Sequence, residues 1–297
     1  MFGKLLKYEW KANYKLFGLL SLIALVLGLV GGLAIRSMFL ISETLQDSFT
    51  MGMSMMGLFG MVMICIILIG VYATAVSYIN YFRFYKHKFT DEGYLTFTLP
   101  VTAESIFWSS FVNIMLWTVI CAIVASAAII IMCCVGVGPA LVEEIYAALR
   151  ESGVTEVTFR DVWELFSVLW DSIKLVVQEG FMQSGALLYY AMSGLQILIA
   201  PVYQAILIMT CITVGSVLVK RMKLLLSIGI YMGFNSVIGV LTQISVYVPT
   251  FIAVNDFEHY FYWLSIPMVL QLVLQLTVII GGYFLMIHLM KKKLNLP

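Results

Sequence analysis

Charge is scarce in this chain, and the scarcity is patterned. Only 11% of the 297 residues are charged and 62% are hydrophobic, against about 25% charged in an ordinary soluble domain. Six stretches, roughly 16–35, 54–79, 106–135, 186–219, 224–246 and 263–289, hold no acidic, lysine or arginine side chain. Each reaches the about 20 apolar residues that a membrane-crossing helix needs. Proton- and ion-coupled carriers keep carboxylates or histidines inside the bilayer, because a charge there is costly and held only for use. Here the interior polar groups are neutral, with His288 at the end of the last stretch. Energy for any transport must then come from outside this chain.

Catalytic signatures are missing too. There is no G-x-x-x-x-G-K-[ST] phosphate loop and no polar stretch long enough for a nucleotide-binding domain. Neither a G-x-S-x-G elbow nor an H-E-x-x-H helix occurs. The three histidines His87, His259 and His288 are too scattered for a metal cluster. We expect no enzyme activity, no catalytic residue, no metal site and no cofactor on this chain. The five cysteines, Cys65, Cys121, Cys133, Cys134 and Cys211, lie within or at the ends of the apolar stretches. Such scatter gives neither a disulfide framework nor a zinc site, so they read as small packing residues.

What charge there is carries the topology. Thirteen of the seventeen Lys and Arg residues form four clusters: Lys4, Lys7, Lys11, Lys15; Arg83, Lys86, Lys88; Lys220, Arg221, Lys223; and Lys291, Lys292, Lys293. Cations flanking spans stay cytosolic, so all four clusters and both termini belong on that side. An even number of spans follows, and the six apolar stretches supply it. Twelve of the sixteen acids fall on the other side. This separation disfavours a nucleic-acid partner, which needs basic residues gathered on one soluble face. The fold class expected is an all-α membrane protein with six transmembrane helices and cytosolic N and C termini, in the cytoplasmic membrane. The first stretch exceeds the usual secretory core of about 7–15 residues, so we read it as a retained span rather than a cleaved signal. Stretches three and four exceed the hydrocarbon thickness, and Pro201 is a place for the fourth to kink.

Polar residues inside the stretches are the amides Asn113, Gln196, Gln204, Asn235, Gln243, Gln271 and Gln275. They either bond neighbouring helices, each worth about 0.6–2 kcal/mol, or line a substrate path. Near the N-terminus, residues 1–17 place Lys4, Lys7, Lys11 and Lys15 opposite an apolar stripe of Leu6, Trp10, Tyr14 and Phe17. That division suits an interfacial helix, with its lysines toward anionic headgroups; a basic flank that only orients the first span is the plainer reading.

Residues 80–105 read as a short helix, a turn at Gly93 and an extended strip before Pro100. Thr102 is placed to cap the third span, with Glu104 in its first turn. The large apolar Phe89, Tyr94, Leu95, Phe97 and Leu99 beside Asp91 and Glu92 suggest a docking surface. The opening Gly3-Lys-Leu-Leu-Lys-Tyr-Glu9-Trp-Lys-Ala12, the Arg83-Phe-Tyr-Lys run and Phe89-Thr-Asp-Glu-Gly-Tyr-Leu-Thr-Phe-Thr-Leu-Pro100-Val together resemble the ABC-2 type permease subunits of Bacillota. The resemblance implies one transmembrane domain over 1–297, an elbow helix over 1–15 (Lys4, Lys7, Trp10, Lys11) and a cytosolic coupling segment over 80–105. It further implies that Phe84, Tyr85, Phe89, Asp91, Glu92, Tyr94 and Phe97 dock on a separate ATP-binding subunit, which would hold ATP and magnesium. The family often places re-entrant helices between spans five and six. Here only Tyr247 to Tyr262 lies there, and the large insertion, 136–185, follows span three.

That insertion is acidic and expected outside the cell. Phe159, Val162, Trp163, Phe166, Leu169, Trp170, Ile173 and Val177 recur at helical spacing, predicting an amphipathic helix of about five turns. It reads as an interfacial helix or lid, or as a gate or receptor for a cationic peptide. Met51, Met53, Met55, Met56, Met61 and Met63 read as packing rather than a soft-metal site. The Gly28-x-x-x-Gly32 and Gly229-x-x-x-Gly233 pairs permit close helix contact and are weak evidence for a dimer interface.

The reading that follows is the permease subunit of an ATP-driven exporter for an amphipathic, peptide-like or lipid-like cargo. Its partners would be an ABC ATP-binding subunit, a second permease subunit (identical or related) and membrane lipids. The amides above form the candidate substrate path. The runner-up is a non-transporting immunity or sensor component that binds a peptide at its outer acidic helix.

Overall fold

Inside a bilayer every backbone N–H and C=O must be satisfied within the segment, so long apolar stretches fold as helices. The computed structural model describes residues 2–44, 48–90, 102–151, 185–219, 222–255 and 259–292, together with 167, 170, 171, 174, 175 and 178. Among these there is no strand. The helices are α1 (Phe2–Thr44), α2 (Ser48–Phe89), α3 (Ala103–Gly136), α4 (Gly138–Glu151), α5 (Ala186–Leu218), α6 (Lys223–Asn255) and α7 (Tyr260–Lys292). All but α4 are long and apolar enough to cross a membrane, and these six coincide with the six apolar stretches.

The helices outrun those stretches because their polar flanks stay helical. Residues 2–15 continue without interruption into the first span as one 43-residue helix. At the other end of the first helical pair, residues 80–89 are the last turns of α2 and not a separate short helix. Residues 91–101, with Gly93 and Pro100, lie outside the described residues. Thr102 caps α3 as its side chain suggests: its Oγ1 accepts the Ser105 backbone N–H at 3.3 Å, and Glu104 stands in the first turn. Pro201 sits inside α5, which is helical from Ala186 to Leu218.

Contacts divide the chain into two units. The first comprises Met1–Glu9, Asn80–Met115 and Asp171–Pro297; the second comprises Trp10–Ile79 and Leu116–Trp170.

In the second unit, Phe17, Ala24, Tyr72, Val76, Trp117 and Cys121 form a core between α1, α2 and α3. Trp10 stacks on Trp117 with ring centroids 4.6 Å apart, and Phe17 meets the same indole edge-on at 4.8 Å. Part of the N-terminal apolar stripe is therefore used against the chain's own α3. A Cβ on Gly28 would stand 2.4 Å from the Ala128 carbonyl oxygen, and one on Gly32 would stand 2.9 Å from that of Met132. This glycine pair makes a close α1–α3 contact within the chain. Gly229 and Gly233 would meet nothing within 4 Å.

In the first unit α5 and α7 run parallel. Gly185 abuts Tyr262, Gln196 bonds Met268 and Gln271, and Ile206 and Thr210 abut Gly282, so contacts advance together along both helices. The antiparallel α6 packs beside them, with Gly215 tight against Ser227 and Gln204 donating to the Tyr231 hydroxyl. A larger core joins the end of α2 and the start of α3 to α5 and α7 through Phe84, Phe89, Ile106, Phe107, Met209 and Met286. Many apolar side chains, such as Leu22, Ile67, Ile197, Leu198, Phe251 and Phe284, remain exposed. Such faces are disposed for lipid or another apolar partner.

Candidate functional site

Residues of α5, α6 and α7 line a partly open cavity of about 180 Å³ within the first unit: Tyr203, Asn235, which is exposed, Ile238, Gly239, Thr242, Gln271, Leu274 and Gln275. The spacing explains the convergence. Asn235, Ile238, Gly239 and Thr242 fall at i, i+3, i+4 and i+7, which is one face of α6, and Gln271 and Gln275 share a face of α7. Some lining groups are committed. The Gln196 amide donates to Gln271 Oε1 at 3.1 Å and to the Met268 carbonyl at 3.1 Å, and the Thr242 hydroxyl donates to the Gly239 carbonyl at 2.9 Å.

Two lining groups are not committed. The Tyr203 hydroxyl and Gln275 Oε1 are buried and have no hydrogen-bond partner, on residues only 8% and 7% exposed. Burying a polar group without a partner costs about 1–3 kcal/mol, so the pair marks unused binding capacity rather than packing. None of the lining residues is charged. The cavity can therefore accept and donate hydrogen bonds but cannot neutralise an ion.

A second polar cluster ties helix ends together in the same unit. Glu9 of α1 pairs with Lys88 of α2, Oε1 to Nζ, at 3.2 Å, and Ser110 of α3 donates to the same Oε1 at 2.8 Å. The Lys88 side chain is 5% exposed. Lys223, the first residue of α6, donates to the Phe89 carbonyl at 3.2 Å, supplying a donor for an otherwise orphaned carbonyl at the negative end of α2. Lys291 of α7 pairs with Glu104 of α3 at 2.6 Å. The starts of α1, α3 and α6 and the ends of α2 and α7 thus meet at one end, and members of all four basic clusters lie there.

The residues singled out from sequence separate on this framework. Of the seven amides, Asn235, Gln271 and Gln275 line the cavity, and Gln196 braces it through Gln271. Gln204 is bonded to Tyr231, Gln243 is exposed on α6, and Asn113 is buried on α3 outside the cavity lining. Of the docking set, Phe84 and Phe89 are buried against one another, ring centroids 5.7 Å apart, and Tyr85 packs on the same core. The apolar surface of Phe84 and Phe89 is covered by this chain, while Tyr85 stays part-exposed. Asp91, Glu92, Tyr94 and Phe97 lie outside the described residues. Lys4, Lys7 and Lys11 are exposed and Trp10 is half-buried.

In the insertion, α4 presents exposed Glu143 and Glu144. Of the predicted apolar stripe only Trp170 is described, and it is exposed. Residues 167, 170, 171, 174, 175 and 178 are helical, with Lys174 and Asp171 paired at 3.0 Å. The rest of the stripe, including Phe159, Trp163 and Phe166, lies outside the described residues.

Tyr203 and Thr242 were missed from sequence, although the seven-residue spacing of Asn235 and Thr242 was available to find one of them. Among the described residues no group of His, Cys, Asp or Glu could hold a metal ion. The sequence matches no protein-family model, and comparisons with curated proteins and with solved structures return no match.

Proposed function

We propose that this chain is the permease subunit of an ATP-driven exporter in the cytoplasmic membrane, moving an amphipathic cargo with a separate ATP-binding subunit. The observation that carries the reading is mechanical. The last turns of α2 are locked to the cavity-bearing helices by the Phe84–Phe89 core and by the Lys223 bond to the Phe89 carbonyl, and the Glu9–Lys88 pair ties the same turns to α1. A displacement applied just beyond Phe89 is therefore passed to α5, α6 and α7, because close-packed interiors transmit strain.

The six span-length helices, the meeting of the basic clusters at one end and the absence of charge in the spans all fit a transport subunit whose energy is supplied by a partner. In this reading that end is cytosolic and residues 90–97 form the coupling contact, with Asp91, Glu92, Tyr94 and Phe97 facing the partner. ATP and magnesium are held by the partner. Residues 1–15, continuous with the first span rather than set off from it, take the elbow's role of exposing lysines to lipid headgroups, and a second permease subunit, identical or related, completes the path.

The test is recovery of the ATP-binding subunit with the purified chain. Tyr94→Ala, Phe97→Ala and the double Asp91→Ala, Glu92→Ala change should leave membrane insertion intact while cutting recovery and transport. Removal of one large anchor or one member of a buried pair commonly costs about 2–5 kcal/mol of binding. Phe166→Ala should spare recovery. Full association and full transport in the loop variants would overturn the coupling assignment.

A further inference from the structure

We infer that the cavity between α5, α6 and α7 is a receptor for one secondary amide of a hydrophobic peptide, whose C=O accepts from the Tyr203 hydroxyl and whose N–H donates to Gln275 Oε1. The assignment of that peptide as cargo rests on the permease reading; the binding itself does not.

The two unpartnered groups are complementary to an amide. A tyrosine hydroxyl can donate, a glutamine carbonyl oxygen can only accept, and both are more than nine-tenths buried on residues lining one cavity. A secondary amide offers one acceptor and one donor on the two sides of a single C–N bond, pointing in opposite directions in the trans form. Ile238 and Leu274 supply apolar wall for the flanking side chains.

Other occupants fit less well. A hard cation needs about six oxygen ligands, yet Gln271 Oε1 already accepts from Gln196 and the Thr242 hydroxyl donates to its own helix. A phospholipid headgroup brings a negative charge into a lining that has no cation, and its ester linkages have no N–H. A polyol would leave hydroxyls facing Ile238 and Leu274. Water alone is the remaining alternative, since the volume admits several molecules.

Binding is measured on the purified chain in nanodiscs, without any ATP-binding subunit. The probe is N-isobutyl-4-methylpentanamide, a single secondary amide with two short apolar arms, competing against a photoreactive diazirine analogue. The matched control is the ester, isobutyl 4-methylpentanoate, which keeps the carbonyl and lacks the N–H. Affinities are referred to each compound's concentration in the bilayer. Labelling should map to α5–α7 and fall about tenfold in Tyr203→Phe and in Gln275→Leu, the size expected for loss of one buried hydrogen bond.

The ester should bind about tenfold more weakly than the amide to the wild-type chain and equally to Gln275→Leu, because each change removes the same bond. Folding of each variant is checked by its thermal midpoint, and the amide–ester comparison on the wild-type chain decides the question without any variant. Equal binding of amide and ester to the wild-type chain, or labelling with no site in α5–α7, means the cavity holds water only and overturns the inference. Because no ATPase is present, that failure leaves the permease reading standing. Conversely, amide-specific binding by a chain that recruits no ATP-binding subunit would sink the permease reading alone.

Discussion

The two units are both built from span-length apolar helices but differ in what joins them. In the second, α1 and α3 approach through Gly28 and Gly32 against backbone of Ala128 and Met132, and aromatic rings around Trp117 fill the core. Side-chain hydrogen bonds between helices occur there too, Ser21 with Tyr72 at 2.9 Å and Tyr72 with the Cys121 thiol. In the first, α5, α6 and α7 are bridged by amides and hydroxyls, and on those helices the Tyr203 hydroxyl and Gln275 Oε1 are left over. Lipid tails are as apolar as leucine, so helices in a bilayer gain little from hydrophobicity alone and associate by packing or by hydrogen bonds. The packed crossing also leaves a buried donor without a partner, Trp117 Nε1, but the Trp10 and Phe17 rings pack against that indole. A crossing made by hydrogen bonds can keep polar groups in reserve, and that reserve is what a binding site requires.

The contrast can be broken most severely in the second unit. Gly28→Leu would drive a side chain into the Ala128 carbonyl and should destabilise the protein by about 3 kcal/mol or more, at or above the usual overpacking range. Gly229→Leu, with open space around it, should leave the thermal midpoint of the detergent-solubilised chain unchanged. Similar losses in the two variants would remove the argument from close approach.

A smaller loss is expected at the ionic cluster. Glu9→Ala leaves Lys88 buried without its carboxylate, which for a fully buried pair costs about 3–5 kcal/mol. The Glu9 side chain keeps 20% exposure, so we expect about 2 kcal/mol. The exchange Glu9→Lys with Lys88→Glu should recover more of the midpoint than either single reversal retains. No recovery would show that Ser110 and the local packing, not the charge pair, set the geometry.

Thr102→Ala removes the α3 cap and should cost about 1 kcal/mol. The finest comparison lies within the cavity. Gln196→Leu strands Gln271 and should cost about 0.6–1.7 kcal/mol, whereas Gln275→Leu removes an unpartnered acceptor and should be neutral or stabilising. Equal destabilisation by both would mean Gln275 is a structural bond donor and that the cavity holds no reserve. A stable but binding-deficient Gln275→Leu would show the stability–function trade-off typical of working sites.

The six helices were legible because charge-free runs of that length have one solution in a bilayer. Helix ends were harder: nothing local stops α2 before Phe89, and the packing that makes its last turns helical comes from α3, α5 and α7, far away in sequence. Thr102 and Glu104 were readable because capping is a local interaction. Phe84 and Phe89 looked like exposed anchors for the same reason that α2 looked short, since burial by distant helices leaves no local sign. Within the cavity, the amides Asn235, Gln271 and Gln275 stood out against apolar surroundings, but Gln204, Gln243 and Asn113 stood out equally. Only the pairing of helices separates a committed amide from a free one, and pairing is a tertiary fact.

The most direct test of the central claim is reconstitution of this chain into liposomes with and without a candidate ATP-binding subunit from the same genome. A hydrophobic N-acetylated peptide serves as cargo, and ATP is compared with a non-hydrolysable analogue. The account predicts no ATPase activity from the chain alone, and peptide movement only with the partner and ATP. Movement by the chain alone down the peptide's gradient at the same rate, or ATP turnover by a preparation free of other subunits, would contradict it.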